Sequence, residues 1–210
     1  MDSAAALGFK LFLRELNRSL RSFGFKRTGQ SFARQFPEIW QVINVQVSVS
    51  STSQEKVFTV NFGIDSKIAM QFRGANVEKA PLHYACPISF RIGWFADEND
   101  LWWRLKDDAS ARQALDEILQ MLISKGIPFL NTLQADSALL EFYGTGLALG
   151  FEINRDETRL LLLAGAGVQD MVQQRLGDYQ VRWISSAAKA RASAFLAKFK
   201  IVHNLKAPLT

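Results

Sequence analysis

The sequence contains very little cysteine and histidine. Among its 210 residues Cys86 is the only cysteine, and His83 and His203 are the only histidines. A single cysteine cannot form an internal disulfide, which is typical of a protein from a reducing compartment. The His-x-x-Cys spacing of His83 and Cys86 supplies too few ligands for a closed zinc site. We therefore predict no metal site, and we interpret Cys86 as a small buried hydrophobic residue in phase with Ile88 and Phe90.

Long apolar runs are also absent. The longest uninterrupted run, Leu160–Ala164, is far shorter than the roughly 20 residues that a helix needs to span a bilayer. Asp2 stands where a secretory signal would carry basic residues, and the cations Lys10 and Arg14 come only after the first apolar residues. We therefore expect a cytoplasmic protein with no membrane span and no secretory signal.

A recognisable set of nucleophile, base and orienting group is the third absence. The acidic residues Asp97, Glu98 and Asp100 fall in a polar segment, where a solvated turn explains them without a catalytic role. We predict no catalytic residue and no cofactor. The absence of a motif does not exclude catalysis, so an enzyme remains an alternative.

Two long alternating runs are the strongest pattern that the sequence contains. In Ile39–Val49 and again in Lys56–Ile64, β-branched or aromatic residues alternate with polar or small ones. A period of two is typical of half-buried antiparallel strands. The polar segment Ser50–Glu55 between the runs is short enough for a hairpin connection, and we predict that this hairpin is the centre of a sheet.

Further strands are predicted on both sides of the hairpin, and helices at the two ends of the chain. A helix is expected at Ser3–Phe23, because its apolar residues recur at spacings of three and four. The other predicted strands are Phe25–Phe36, interrupted by a tight turn near Gly29, and Cys86–Trp94. Leu101–Leu105 is expected to be a short strand or an extended segment.

Helical periodicity dominates after Asp107. The expected helices are one that Gly126 ends, one from Pro128 to Leu133, one capped by Asp136, one around Arg155–Ala164, and a long one from Gln169 to about Leu205 that Gly177 interrupts. Strands in the first half and helices in the second argue against alternating strand–helix units. We predict an α+β fold, with the N-terminal helix packed on an antiparallel sheet of four to five strands and a helical C-terminal region. The predicted domains are residues 1–134 and a helical extension, 135–210.

Several segments occur in the order found in one bacterial family. They are Phe23–Arg27, Phe32–Arg34, Gln41–Gln46, Phe58–Gly63, Arg91–Trp94, Leu101–Trp103 and Gly126–Phe129. Over about residues 5–134 the chain resembles the domain-of-unknown-function family 4304. The resemblance implies a helix with an antiparallel sheet, in agreement with the fold predicted from the residue pattern. It carries over no catalytic residue.

Aromatic and basic residues cluster around the last predicted strands. We predict a binding surface made by Arg91, Trp94, Trp102, Trp103 and Arg104. Two adjacent tryptophans on an extended segment point to opposite faces, so at least one is expected outside the core, where it would contact a protein partner or a ligand ring. In the alternative interpretation, both tryptophans fill gaps between the sheet and the helices after Asp107.

Basic residues also predominate in two helical stretches of a chain whose net charge is +5. The candidate basic contacts, for nucleic acid phosphates or, in the C-terminal helix, also for a membrane surface, are Arg14, Arg18, Arg21, Lys189, Lys198 and Lys200. The alternative is that these helices pack their apolar stripes on the protein and leave their cations in water. Our leading hypothesis is a non-enzymatic interaction or ligand-binding module. The other two are a nucleic-acid-associated protein and an enzyme with a pocket between the sheet and the C-terminal helices.

Overall fold

A computed structural model describes residues 2–96, 100–147, 149–184 and 186–203, and it has the predicted α+β class. Helix α1 (Ala4–Arg21) is followed by the strands β1 (Lys26–Thr28), β2 (Ser31–Gln35), β3 (Ile39–Val47), β4 (Lys56–Ser66), β5 (Ile88–Arg91) and β6 (Trp103–Leu105). The later helices are α2 (Lys67–Phe72), α3 (Asp108–Met121), α4 (Ile127–Asn131), α5 (Asp136–Gly144), α6 (Glu152–Gly165), α7 (Gln169–Ile184) and α8 (Lys189–Val202). Across those described ranges, no helix combines the length and the apolar character that crossing a bilayer requires.

The predicted hairpin of β3 and β4 is the centre of the sheet. The strands lie in the order β1-β2-β3-β4-β5, all neighbours being antiparallel. Strand β6 shares an edge of β4 with β5, because Lys56–Phe58 pair with β6 and Asn61–Ile64 pair with β5. The sheet has six strands, more than the predicted four to five, since the tight turn near Gly29 divides Phe25–Phe36 into β1 and β2.

Helix α1 packs its apolar stripe against the sheet and α3. Its start is capped by Ser3, whose side-chain oxygen accepts a hydrogen bond from the Ala6 backbone N–H at 3.2 Å. The Phe12 ring lies 4.7 Å from the Phe58 ring of β4. A Cβ atom on Gly8 would come within 2.5 Å of the Asp107 carbonyl oxygen. The missing side chain of Gly8 therefore allows α1 to approach the start of α3 closely.

The prediction of one strand from Cys86 to Trp94 is wrong in its extent. Strand β5 covers only Ile88–Arg91, and the chain continues as a 3₁₀ turn, Ile92–Ala96. The turn buries Ile92 and also Phe95, whose ring lies 5.4 Å from that of Phe62. The alternation of apolar and polar residues in this segment predicts a strand, but packing against the sheet determines its conformation.

Gly126 does not end a helix, contrary to the prediction. Helix α3 continues through a π-helical turn, Leu122–Gly126, directly into α4. A Cβ atom on Gly126 would lie 3.4 Å from Cζ of Phe62. The glycine allows this helical path to pass close over the sheet.

The long predicted helix from Gln169 is two helices. Helix α7 includes Gly177 without interruption, and the chain turns back after Ile184. In this turn the Ser186 hydroxyl donates to the Trp183 carbonyl at 2.8 Å and accepts from the Ala188 N–H at 3.1 Å. Helix α8 then packs along α7, and the predicted end at Leu205 lies outside the described residues.

Two hydrophobic cores organise these elements. The main core lies between the sheet, α1, α3 and α4, and it includes Leu139, Phe142 and Tyr143 of α5. The second core lies between α6, α7 and α8, and it includes Ala69 and the partly buried Phe72 of α2. Both cores therefore contain residues from both sides of position 134, where the first predicted domain ends.

Candidate functional site

The predicted binding surface contains one close pair. The guanidinium carbon of Arg91 lies 5.1 Å from the ring centre of the half-buried Trp102. Arg91 also forms an ion pair with Asp100. The structure therefore brings Arg91 and Trp102 together at the outer edge of the sheet, where the cation lies over the ring.

The other three predicted residues have different surroundings. Trp103 is only 7% exposed, and its Nε1 donates to Glu117 of α3 at 2.8 Å, so it fills the gap between sheet and helix. Trp94 is 37% exposed and packs on aromatic neighbours, 5.4 Å from the Phe129 ring. Arg104 extends to Glu55, 2.6 Å away.

The predicted basic contacts lie on two separate helices, α1 and α8. Arg14 and Arg18 both pair with Glu15, at 3.0 and 3.1 Å, while Arg21 and Lys189 are exposed at helix ends. Lys200 lines a groove between α7 and α8. Lys198 differs from these, because its ammonium donates to the Phe72 carbonyl and lies 4.6 Å from the centre of the Phe72 ring.

Lys198 belongs to a cleft of about 490 Å³ that we call the α2–α8 cleft. Its apolar walls are Phe72, Ala85, Leu161, Ala194 and Phe195, and its polar walls are Arg73, Asn154, Glu157, Arg191 and Lys198. Helix α2 and the 3₁₀ turn His83–Ala85 form one side, and α6 and α8 form the other. The cleft therefore lies where the sheet region meets the C-terminal helices.

Arg191 is held rigidly on the helical side of the cleft. Its Nε and Nη2 donate to the Glu157 carboxylate at 3.1 and 2.5 Å, and Nη2 also donates to the Asn154 side-chain oxygen at 2.6 Å. Tyr179 donates to the same carboxylate at 3.0 Å, and burial followed by the charge of Glu157 raises the pKa of Tyr179. The hydrogen bonds that Arg191 donates to Glu157 raise the pKa of Arg191, which therefore remains a cation at all physiological pH values.

Arg73 is held on the opposite side by a buried carboxylate. Its Nη2 lies 2.5 Å from Oδ2 of Asp65, the penultimate residue of β4, which is 1% exposed. Burial raises the pKa of Asp65 to about 6, although the Arg73 charge opposes this shift. Burial and the nearby Asp65 also raise the pKa values of the Tyr143 hydroxyl and the Cys86 thiol, so both stay protonated.

Sequence reasoning found only Lys198 among the charged residues of this cleft. Glu157 and Arg191 are 34 residues apart, and no local spacing pairs them. A signal for Asp65 did exist, because it continues the polar face of the strand run that ends at Ile64. A carboxylate in that position needs a partner if helices cover the face, and the first cation that follows α2 is Arg73.

The comparison with protein families gives a match over the sheet region. A family model described as a domain of unknown function (DUF4304) matches residues 16–132, which is more than half of the chain. No curated protein and no solved structure matches the chain. The match runs from the last third of α1 to the residue after α4, so it includes α2 and stops before α6 and α8. The suspected resemblance is confirmed: the chain belongs to the DUF4304 family.

Proposed function

We propose that this protein is a non-enzymatic ligand-binding module of a bacterial cytoplasm, and that its ligand occupies the α2–α8 cleft. The observation that carries the proposal is the cleft itself. Its volume of about 490 Å³ lies within the roughly 300–1,000 Å³ that small-molecule sites occupy. Apolar walls with a few convergent polar groups are also the usual lining of such sites.

The chemistry of the lining favours binding over catalysis. Both Glu157 oxygens already accept hydrogen bonds from Arg191, and one of them also accepts from Tyr179. Asp65, Tyr143, Cys86 and Tyr179, whose pKa values are raised, are all buried and do not line the cleft. The lining thus offers fixed cations and apolar surface, but its single carboxylate is already engaged and poorly placed to act as a base.

The nucleic-acid alternative has weaker support. Two cations of α1, Arg14 and Arg18, are paired with Glu15, and Lys198 of α8 is directed to the cleft. The basic residues that we predicted to act together therefore make different contacts in the structure. Phosphate binding along a nucleic acid would need unpaired cations arranged on one face.

The experiment compares two substitutions on α8 with the anionic dye 8-anilinonaphthalene-1-sulfonate. Ala194 lines the α2–α8 cleft, whereas Ala197 lines the separate groove between α7 and α8. Both alanines are exposed, so an indole ring at either position fills space without entering the core. We expect Ala194→Trp to abolish most of the dye fluorescence enhancement, and Ala197→Trp to leave it unchanged. Loss of the signal in Ala197→Trp alone, or in neither variant, would overturn the proposal.

A further inference from the structure

The charges around the α2–α8 cleft are distributed unevenly between its interior and its surface. The two carboxylates are withdrawn from solvent, since the side chains of Asp65 and Glu157 are 1% and 10% exposed. The side chains of their partners Arg73 and Arg191 are 34% and 48% exposed. A molecule that enters the cleft therefore contacts the exposed arginines first, although a buried carboxylate pairs with each of them.

The cations retain hydrogen-bond donors for a ligand. Arg191 uses Nε and Nη2 for Glu157 and Asn154, and no described residue accepts a hydrogen bond from its Nη1. Among the described residues, Arg73 donates only through Nη2, to Asp65. In the part of the chain that the structure describes, no carboxylate lies within 4.0 Å of the Lys198 ammonium. Planar guanidinium forks of this kind match a carboxylate or a phosphate.

The rest of the lining is apolar and aromatic. The Phe72 and Phe195 rings lie 5.3 Å apart, and the buried Leu161 adjoins them in the cleft wall. The cation of Lys198 already lies over the Phe72 ring. Phe195 is only 7% exposed, whereas Phe72 is half-buried. Such a surface favours a flat apolar body, because a ring can pack in an offset or edge-to-face arrangement on the accessible part of Phe72.

We propose, resting on the proposed function, that the α2–α8 cleft binds an organic anion in which a carboxylate or phosphate is joined to an aromatic ring. The acid group contacts Arg73, Arg191 and Lys198, and the ring lies on Phe72, beside the buried Phe195. The pre-formed ion pairs fix both guanidinium groups before the ligand arrives, so little side-chain entropy is lost on binding.

The test measures five probes by isothermal titration calorimetry. Phenyl phosphate and benzoate carry a ring with the two forms of acid group, inorganic phosphate lacks the ring, benzyl alcohol lacks the charge, and benzylamine reverses it. We expect phenyl phosphate or benzoate to bind at least tenfold more tightly than the other three. The tighter of the two identifies the acid group.

Matched variants locate the interaction. Lys198→Gln removes one exposed cation of the cleft, and we expect it to weaken binding of the aromatic anion about tenfold, as a charge-assisted hydrogen bond implies. Lys200 lies on the same helix but lines the separate groove between α7 and α8. Lys200→Gln should therefore change the affinity for the aromatic anion less than twofold.

Equal binding of benzylamine, equal binding of inorganic phosphate, or an unchanged affinity in Lys198→Gln would overturn the assignment of the ligand class. If Ala194→Trp still blocks the fluorescent dye in those cases, the cleft remains a binding site and only its ligand class is wrong. If Ala194→Trp affects neither the dye nor any of the five probes, the proposed function itself fails.

Discussion

The sheet region and the C-terminal helices treat their buried polar groups differently. In the sheet region, Gln41 is fully buried and donates to the carbonyls of Leu130 and Leu133 at 2.7 and 2.8 Å. Arg34 likewise donates to Gln41 and Asn131, at 2.8 and 2.7 Å. Strand β4 is buried almost throughout, and its polar side chains Thr59 and Asn61 are also hydrogen-bonded.

In the helical region and along its boundary with the sheet, several buried polar atoms have no hydrogen-bond partner among the residues that the structure describes. They are Asp65 Oδ1, Tyr143 Oη, Thr158 Oγ1, Arg159 Nε, Arg175 Nε and His203 Nε2. A buried polar group without a partner lowers the stability of the folded state. The polar groups of the sheet region are therefore more completely hydrogen-bonded than those of the C-terminal helices and of the boundary between the two regions. None of the unpartnered atoms lines the α2–α8 cleft, which also lies at that boundary.

The largest expected effects come from removing one aromatic ring in each core. Phe58→Ala should lower the free energy of unfolding of the whole protein by about 3–5 kcal/mol, because Phe58 contacts α1 and Trp103 at the centre of the main core. Phe199→Ala removes a ring of similar burial from the second core. We expect its effect, about 3 kcal/mol, to be confined to α6, α7 and α8.

Hydrogen exchange of backbone amides distinguishes these results. In Phe199→Ala, exchange should accelerate in the C-terminal helices while β3 and β4 stay protected, as in local opening. In Phe58→Ala, protection should fall in the sheet as well. Equal loss of protection throughout both variants would show that the two cores unfold as one unit, and would contradict the comparison.

The next largest effect concerns the pair Arg73 and Asp65 at the boundary. Arg73→Gln leaves the Asp65 carboxylate buried without its partner, and it should destabilise the protein by about 3 kcal/mol at pH 7.5. At pH 5 the loss should be smaller, because Asp65 then binds a proton. The double variant Asp65→Asn, Arg73→Gln should recover most of the stability, and failure to recover would show that Arg73 acts through other contacts.

The single variant Asp65→Asn tests the direction of the pH dependence. In the folded protein the pKa of Asp65 is raised from 3.8 to about 6, so between these values the folded state holds a proton that the unfolded chain has released. The contribution of Asp65 to stability is therefore greatest below pH 4 and is lost as the pH rises through 6, a difference of about 3 kcal/mol. Urea unfolding from pH 4 to pH 7.5 should show that Asp65→Asn gains stability relative to the wild type as the pH rises. A constant difference would contradict the assignment.

The fold was predictable from the sequence where neighbouring residues determine the structure. The alternation of Ile43 and Val45 with polar residues reflects the strand geometry directly, and the central hairpin was correct. The predicted extent of β5 was wrong because Phe95 packs in the core against Phe62, a residue distant in sequence. The same reason explains why the cleft was not predicted: Arg191 reaches it only because α8 packs back on α6, where Arg191 pairs with Glu157.

The smallest expected effect compares the two adjacent tryptophans. Trp102→Ala removes a half-buried ring whose main polar contact is the guanidinium of Arg91, and exposed contacts of this type contribute about 0.5–1 kcal/mol. Trp103→Ala is the control, because it removes a core ring and its hydrogen bond to Glu117, and it should destabilise the protein by several kcal/mol, about 3–5. Urea unfolding measures both changes. If Trp102→Ala destabilises as much as Trp103→Ala, then Trp102 is a packing residue like its neighbour. If Trp102→Ala lowers the free energy of unfolding only slightly, Trp102 and Arg91 form a surface pair that contributes little to folding. This pair at the edge of the sheet is then available for a protein partner.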